Sequence, residues 1–72
     1  MKKIKKIKIR VNGKVMLIKE NTDLLKLADN LKIPLKKVAI ELNKEIMNKK
    51  KMNDKILKKN DTVEIVHFIG GG

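Results

Sequence analysis

The amino-acid sequence predicts an α+β fold in which one main helix packs on one face of a mixed sheet of four or five strands. Three features predict it: strict apolar and charged alternation near the start, a single amphipathic helical pattern, and an apolar, β-branched segment near the end. At 72 residues the chain has room for one domain with one small core. A deep cleft that holds substrate and catalytic groups is therefore not expected, which disfavours an enzyme.

The first predicted element is a β-hairpin. Residues 7–11 read Ile-Lys-Ile-Arg-Val, and this alternation places the apolar side chains on one face of a strand. Asn12-Gly13 follows, and both residue types tolerate the positive φ of a two-residue hairpin turn. Residues 14–19 return as the second strand, and their consecutive apolar positions leave open which set faces the core.

A single amphipathic helix follows the hairpin. Thr22-Asp23 is a suitable N-cap, with an acid in the first helical turn, where the helix dipole favours negative charge. The apolar stripe has the spacing of one helix face and consists of Leu24, Leu27, Ala28 and Leu31. We expect the helix to end near Lys32, because Pro34 lacks an amide donor and disfavours the helical conformation at Ile33.

The second half of the chain predicts three more strands. Alternation over residues 38–42 gives the third strand, and a turn at residues 43–44 leads into a short strand at residues 45–47. Residues 48–59 are polar and lysine-rich, so we expect a loop with no more than a short helical turn. Its apolar anchors are Met52, Ile56 and Leu57. Residues 62–69 form the last and most apolar strand, as expected for the middle of a sheet.

The element order favours one topology. Packing is most economical when the first and last strands lie parallel at the centre of the sheet and the helix crosses a single face. That topology is the β-grasp. We predict one β-grasp domain over residues 1–69 and a tail over residues 70–72.

The predicted tail contains three of the four glycines, Gly70, Gly71 and Gly72. Glycine has no side chain to pack and weakens regular structure through its backbone entropy, so the tail is predicted to be flexible and narrow. At up to about 3.3–3.6 Å per residue, it can extend its carboxylate on the order of 10 Å from the domain.

Composition argues against several classes of site. The sequence has no cysteine, so disulfides and thiolate chemistry are absent, and the lone His67 cannot form a metal cluster. We predict no catalytic residue, no metal and no cofactor bound by this chain. No apolar run approaches the roughly 20 residues that span a bilayer, so we expect a soluble cytoplasmic protein with no leader and no membrane partner.

The formal net charge of +11 suggests nucleic-acid binding, but the residue types do not support it. Eighteen lysines accompany the single Arg10, whereas base and phosphate recognition favours the arginine fork. Phe68 is the one aromatic residue, so stacking platforms cannot form. We predict a solvated lysine coat and no nucleic-acid partner; a basic surface for an acidic partner is the alternative.

Two segments resemble the signatures of the ThiS family of sulfur carriers in thiamine biosynthesis. Residues 38–46, Val-Ala-Ile-Glu-Leu-Asn-Lys-Glu-Ile, are similar to its third-strand and turn signature. Residues 60–72, Asn-Asp-Thr-Val-Glu-Ile-Val-His-Phe-Ile-Gly-Gly-Gly, are similar to its C-terminal signature. Asn12-Gly13 also matches the early hairpin turn. The lysine-rich residues before Ile7 and the basic middle segment depart from the family pattern, which leaves the partner surface open.

The resemblance implies that Gly72 is the site of covalent modification. A ThiF-type enzyme would use ATP to adenylate its carboxylate, and a sulfur donor protein would supply the sulfur of a thiocarboxylate. A ThiG-type thiazole synthase would then receive that sulfur. ATP would be bound by the activating partner, since this chain has no glycine-rich loop between a strand and a helix. The free chain is expected to be a monomer.

Val66, Phe68 and Ile69 are the predicted partner-binding residues. If Val63 and Ile65 face the core, then Val66 and Phe68 lie on the open face beside the tail. Exposed apolar side chains there favour docking. The opposite register would place Phe68 in the core.

Two other classes of protein share the fold and the terminal glycines. The small subunit of molybdopterin synthase carries sulfur in the same way but has a Pro-Pro pair before its terminal glycines, which this sequence lacks. A ubiquitin-like modifier would instead be conjugated to lysines. Both stay as alternatives to the ThiS-type carrier.

Overall fold

The computed structural model describes residues 3–68 and consists of one mixed sheet with a single α-helix on one face. Its elements in chain order are β1 (Lys6–Val11), β2 (Lys14–Lys19), α1 (Leu24–Asn30), a first 3₁₀ helix (Leu35–Lys37), β3 (Val38–Leu42), β4 (Glu45–Ile46), a second 3₁₀ helix (Lys49–Asp54) and β5 (Thr62–His67). The five strands lie in the order β2-β1-β5-β3-β4. The predicted α+β fold with its mixed sheet is confirmed.

The first and last strands are parallel neighbours, as predicted. β5 aligns Thr62 with Arg10 and Val63 with Val11 of β1. On its other side, β5 pairs antiparallel with the whole of β3, up to the alignment of His67 with Val38. β5 is therefore the central strand.

The core lies between the inner sheet face, α1 and the second 3₁₀ helix. Alternation turns Ile9 and Val11 of β1 inward, while Arg10 stays exposed. The buried apolar residues form one cluster of Ile9, Val11, Leu24, Leu27, Ala28, Val38, Ile40, Met47, Met52, Leu57 and Val63. Within residues 3–68 no polar or charged residue is buried. The described fold is therefore stabilised mainly by apolar burial.

The segment predicted as a loop holds more regular structure than expected. The second 3₁₀ helix has six residues, and the Asn48 side chain caps it by accepting a hydrogen bond from the Lys50 amide at 2.9 Å. Its Lys-Lys-Lys start gives no apolar periodicity, so the sequence pattern could not indicate its length.

The predicted anchors of this segment are only partly correct. Met52 and Leu57 are buried, as expected. The prediction is wrong for Ile56, which is 45% exposed and forms an isolated antiparallel bridge with Asp23 instead. Because the backbone is extended at this bridge, Ile56 and Leu57 point in opposite directions, and only Leu57 enters the core.

Helix α1 begins at a side-chain cap. Asp23 is the N-cap itself, and its Oδ1 accepts a hydrogen bond from the Lys26 amide at 2.7 Å. The carboxylate thereby satisfies an amide that has no partner inside the helix.

The helix ends at Asn30, slightly before the predicted position. Lys32 adopts a left-handed φ of 56°, and its amide donates to the Asp29 carbonyl at 3.0 Å. The Ile33 amide donates to the Ala28 carbonyl, also at 3.0 Å. This pair of bonds is a Schellman motif, built here with lysine at a position that usually holds glycine.

Two tight turns flank the central strand. Asn12 and Gly13 have φ values of 50° and 82°, as the predicted two-residue hairpin turn requires. Asn43 and Lys44 repeat this conformation with φ values of 52° and 69° between β3 and β4. Both asparagines lie beside β5.

Each turn asparagine binds β5 through both its backbone and its side chain. The Asn12 amide donates to the Val63 carbonyl at 2.9 Å, and its Oδ1 accepts from the Ile65 amide at 2.7 Å. The Asn43 amide donates to the Thr62 carbonyl at 2.7 Å, and its Oδ1 accepts from the Thr62 amide at 2.9 Å. The central strand is therefore held from both sides.

Substitution of Asn12 tests this attachment. We expect Asn12→Ala to lower the free energy of unfolding by about 1–2 kcal/mol, because it removes an acceptor and places alanine at a positive φ. Asn12→Gly keeps the backbone conformation and should cost about 1 kcal/mol or less. Urea denaturation measures both, and parental stability in both variants would contradict a holding role for this side chain.

Candidate functional site

The predicted reactive group, Gly72, follows in the sequence the strand that the two asparagines hold. Gly70, Gly71 and Gly72 lie outside the described residues, and so does Ile69 of the predicted partner-binding set. The structure therefore describes the base of the tail, which is β5 together with Phe68.

The side chains of β5 face the core and the solvent in the predicted alternation. Val63 is buried and Ile65 packs half-buried against the core, whereas Val66 is 51% and Phe68 is 59% exposed. The alternative register, with Phe68 in the core, is wrong. Two of the three predicted partner-binding residues are therefore accessible on the open face of the sheet.

The open face of the sheet carries an apolar row near the end of β5 and an acidic row before it. Val66 aligns with Ala39 of β3, and the ladder continues past the end of β5 through a 2.9 Å bond from the Phe68 amide to the Lys37 carbonyl. We call Ala39, Val66 and Phe68 the apolar strip. The preceding row aligns Glu64 with Glu41, both half-buried. The strip is therefore the apolar surface of this face nearest the predicted tail.

A lysine from the second 3₁₀ helix holds the end of the strip. The Lys49 Nζ donates a hydrogen bond to the Leu35 carbonyl and lies 5.4 Å from the centre of the Phe68 ring. A cation at this distance is attracted to the ring face. Sequence reasoning missed Lys49, because nothing in a run of three lysines distinguishes the one that reaches Phe68.

In the part of the chain that the structure describes, none of the side-chain hydrogen bonds involves His67. Its side chain is exposed, and its position aligns with Val38 at the end of the β3 ladder. No group of three or more His, Cys, Asp or Glu residues within residues 3–68 is arranged to hold a metal.

A cleft of about 670 Å³ lies between β2 and α1, and none of its lining residues belongs to β5. This cleft is thus separate from the base of the tail. In the part of the chain that the structure describes, no helix has the length and apolar character needed to cross a membrane.

The fold places the chain in the class of β-grasp domains. The crystal structure of the thiamine biosynthesis protein ThiS from Geobacter metallireducens is similar to it, with a TM-score of 0.81 at 30% sequence identity. The match covers 92% of this chain and 100% of that chain. The predicted β-grasp topology is therefore confirmed.

Sequence comparison defines the family. The ThiS family model matches residues 7–72. The sulfur carrier protein ThiS of Bacillus subtilis is 37% identical over 65 residues, which cover 89% of this chain and 98% of that protein. The chain belongs to the ThiS family and is a sulfur carrier protein rather than an enzyme.

A second relative is much longer. A thiazole synthase of Magnetococcus marinus is 36% identical over 66 residues, which cover 92% of this chain. The chain spans only 20% of that protein's length. The similarity is therefore to one segment of that protein.

Substitution of Lys49 tests its contact with the strip. We expect Lys49→Met to lower the free energy of unfolding by about 1 kcal/mol, since one hydrogen bond and one cation–π contact are lost. The neighbouring Lys50→Met, at an exposed position, is the matched control and should change stability by less than about 0.5 kcal/mol. Equal urea midpoints for the two variants would contradict the role of Lys49.

Proposed function

We propose that this chain carries sulfur for thiamine biosynthesis as a thiocarboxylate on the α-carboxylate of Gly72. Membership of the ThiS family is the observation that carries the proposal. The described end of β5 supports it, because the strand is held on both sides up to Ile65 and on the β3 side up to Phe68. The chain would thus supply a reacting group at the end of a fixed strand.

The chemistry requires activation by a partner. An α-carboxylate has a reference pKa of about 3.3–3.7, so at neutral pH it is an anion that can attack the α-phosphorus of ATP. Pyrophosphate leaves, and the carboxylate becomes an electrophilic acyl-adenylate. The terminal sulfur of a persulfide then forms a C–S bond and displaces AMP. A second thiol cleaves the original S–S bond of the persulfide, which forms a disulfide and releases the thiocarboxylate.

The chain and its activating partner would contribute different groups to the reaction. Its contribution is the terminal carboxylate on a glycine segment without Cβ atoms, which suits a narrow channel. ATP binding and stabilisation of charge in the transition state belong to a ThiF-type adenylating enzyme. A sulfur donor protein and a cytoplasmic location, where ATP is plentiful, are parts of the same proposal, as is a monomeric free state.

A ThiG-type thiazole synthase is the proposed receiver of the sulfur. The match to a segment of a thiazole synthase supports this, because a carrier domain within that polypeptide would keep the thiocarboxylate close to its acceptor. For this chain, the same proximity would require binding to the thiazole synthase. We assign the docking to Val66 and Phe68 of the apolar strip, together with Ile69.

Glycine substitutions test the reactive end. We expect Gly71→Val and Gly72→Ala to slow ATP-dependent pyrophosphate release on the order of 100-fold, because about 1 Å of displacement misaligns the reacting atoms. The assay uses the full chain with its ThiF-type enzyme, and circular dichroism checks that the fold is kept. Parental rates in both variants would contradict the proposal.

A matched pair of valines tests the docking surface. Val66 is 51% exposed near the end of β5, whereas Val15 is 54% exposed on the edge strand β2. Val66→Asp should weaken binding to the ThiF-type enzyme at least about tenfold by placing a charge in an apolar contact. Val15→Asp is the control for the added charge. Calorimetric titration that finds equal affinities for the two variants would place docking elsewhere.

A further inference from the structure

The central strand is fully paired on one side only. β1 ends at Val11, which aligns with Val63, whereas β5 continues to His67. The second half of β5 therefore extends beyond its parallel neighbour. On the other side, β3 pairs with it up to the last residue of the strand.

Strand alternation determines which backbone groups point to the uncovered side. The Val63 carbonyl and the Ile65 amide both bond to Asn12, so these residues direct their backbone groups towards β1. The Phe68 amide bonds to Lys37 and thus points the opposite way, towards β3. By this alternation, the His67 amide and carbonyl point to the β1 side, past the end of β1.

These groups form a short open edge. It consists of the Ile65 carbonyl together with the His67 amide and carbonyl, and residues 3–68 supply no hydrogen-bond partner for them. Asn12 closes the edge at the Ile65 amide, so the uncovered groups begin immediately after it. Unpaired strand edges are sites where another extended chain can add to a sheet.

We propose that the activating enzyme adds an extended main-chain segment to this edge of β5 when it binds the carrier. This inference rests on the proposed function, since it names how the partner holds the strand that ends in the reactive tail. Alternating donors and acceptors of an extended backbone complement these three groups. Pairing at His67 would also keep the chain extended as it enters the glycines.

A second copy of this chain is the less suitable occupant. Two chains with a formal net charge of +11 repel each other, and an edge of three groups gives few bonds to offset that repulsion. The enzyme segment, in contrast, adds its edge bonds to docking on Val66 and Phe68 beside it.

Amide hydrogen exchange tests the pairing at single residues. In the free chain the His67 amide should exchange quickly, whereas the adjacent Phe68 amide is protected by its bond to Lys37. Saturation with the ThiF-type enzyme should slow exchange at His67 at least about tenfold. Unchanged exchange at His67 in the saturated complex would overturn the inference, as would slow exchange that depends on carrier concentration alone, which would indicate a second copy.

A proline substitution provides an independent test. His67→Pro removes the amide on the open edge and leaves every β3 bond in place, so the fold should be kept, as circular dichroism can check. Its affinity for the enzyme is compared with that of His67→Ala, which loses the imidazole but keeps the amide. The inference predicts at least about tenfold weaker binding for proline than for alanine.

The outcomes separate this inference from the proposed function. Equal affinities of the proline and alanine variants, with adenylation of the parental chain intact, would overturn edge pairing alone. If the parental chain itself is not adenylated, both the proposed function and the edge pairing that rests on it are wrong.

Discussion

The attachment of β5 by two turn asparagines is the constraint on which the rest of the structure depends. Asn12 and Asn43 come from hairpin turns on opposite sides of the strand, and each uses a backbone amide and a side-chain oxygen. The strand has six residues, so ladder bonds to β1 and β3 alone are few. The turns therefore extend the pairing of the strand that leads to the chain end.

The same strand explains how a sulfur carrier protein can take part in a reaction that its partners catalyse. Val63 of this strand enters the core, Val66 contributes to the apolar strip, and the glycines follow its end in the sequence. Lys49 adds a contact to Phe68 from a separate element. In the proposed function, fold stability, docking and delivery of the carboxylate would thus all depend on one strand, and the activating partner would supply the electrostatics of the reaction.

Much of this arrangement could be predicted from short-range pattern. Alternation identified β1 and β3, and Asn12-Gly13 identified the first turn. The inward set of β2 could not be decided, because apolar residues occupy both faces; as an edge strand it turns Met16 and Ile18 half-inward and leaves Val15 and Leu17 exposed.

The remaining features depend on contacts between residues far apart in the sequence. The hydrogen bond from the Ile65 amide to the Asn12 Oδ1 spans 53 residues, and neither residue has a local signal for it. The left-handed conformation of Lys32 after α1 could not be predicted either, because glycine or asparagine is the usual residue at that position. The open edge at His67 follows only from register, which the sequence indicates but does not determine.

The most direct measurement of the central claim is the intact mass of the carrier after incubation with ATP, its ThiF-type enzyme and a sulfur source. We expect one oxygen to be replaced by sulfur, with the change located by fragmentation at Gly72 and absent from a chain that lacks this residue. An unchanged mass, with an activating enzyme that modifies another ThiS-family carrier under the same conditions, would contradict it.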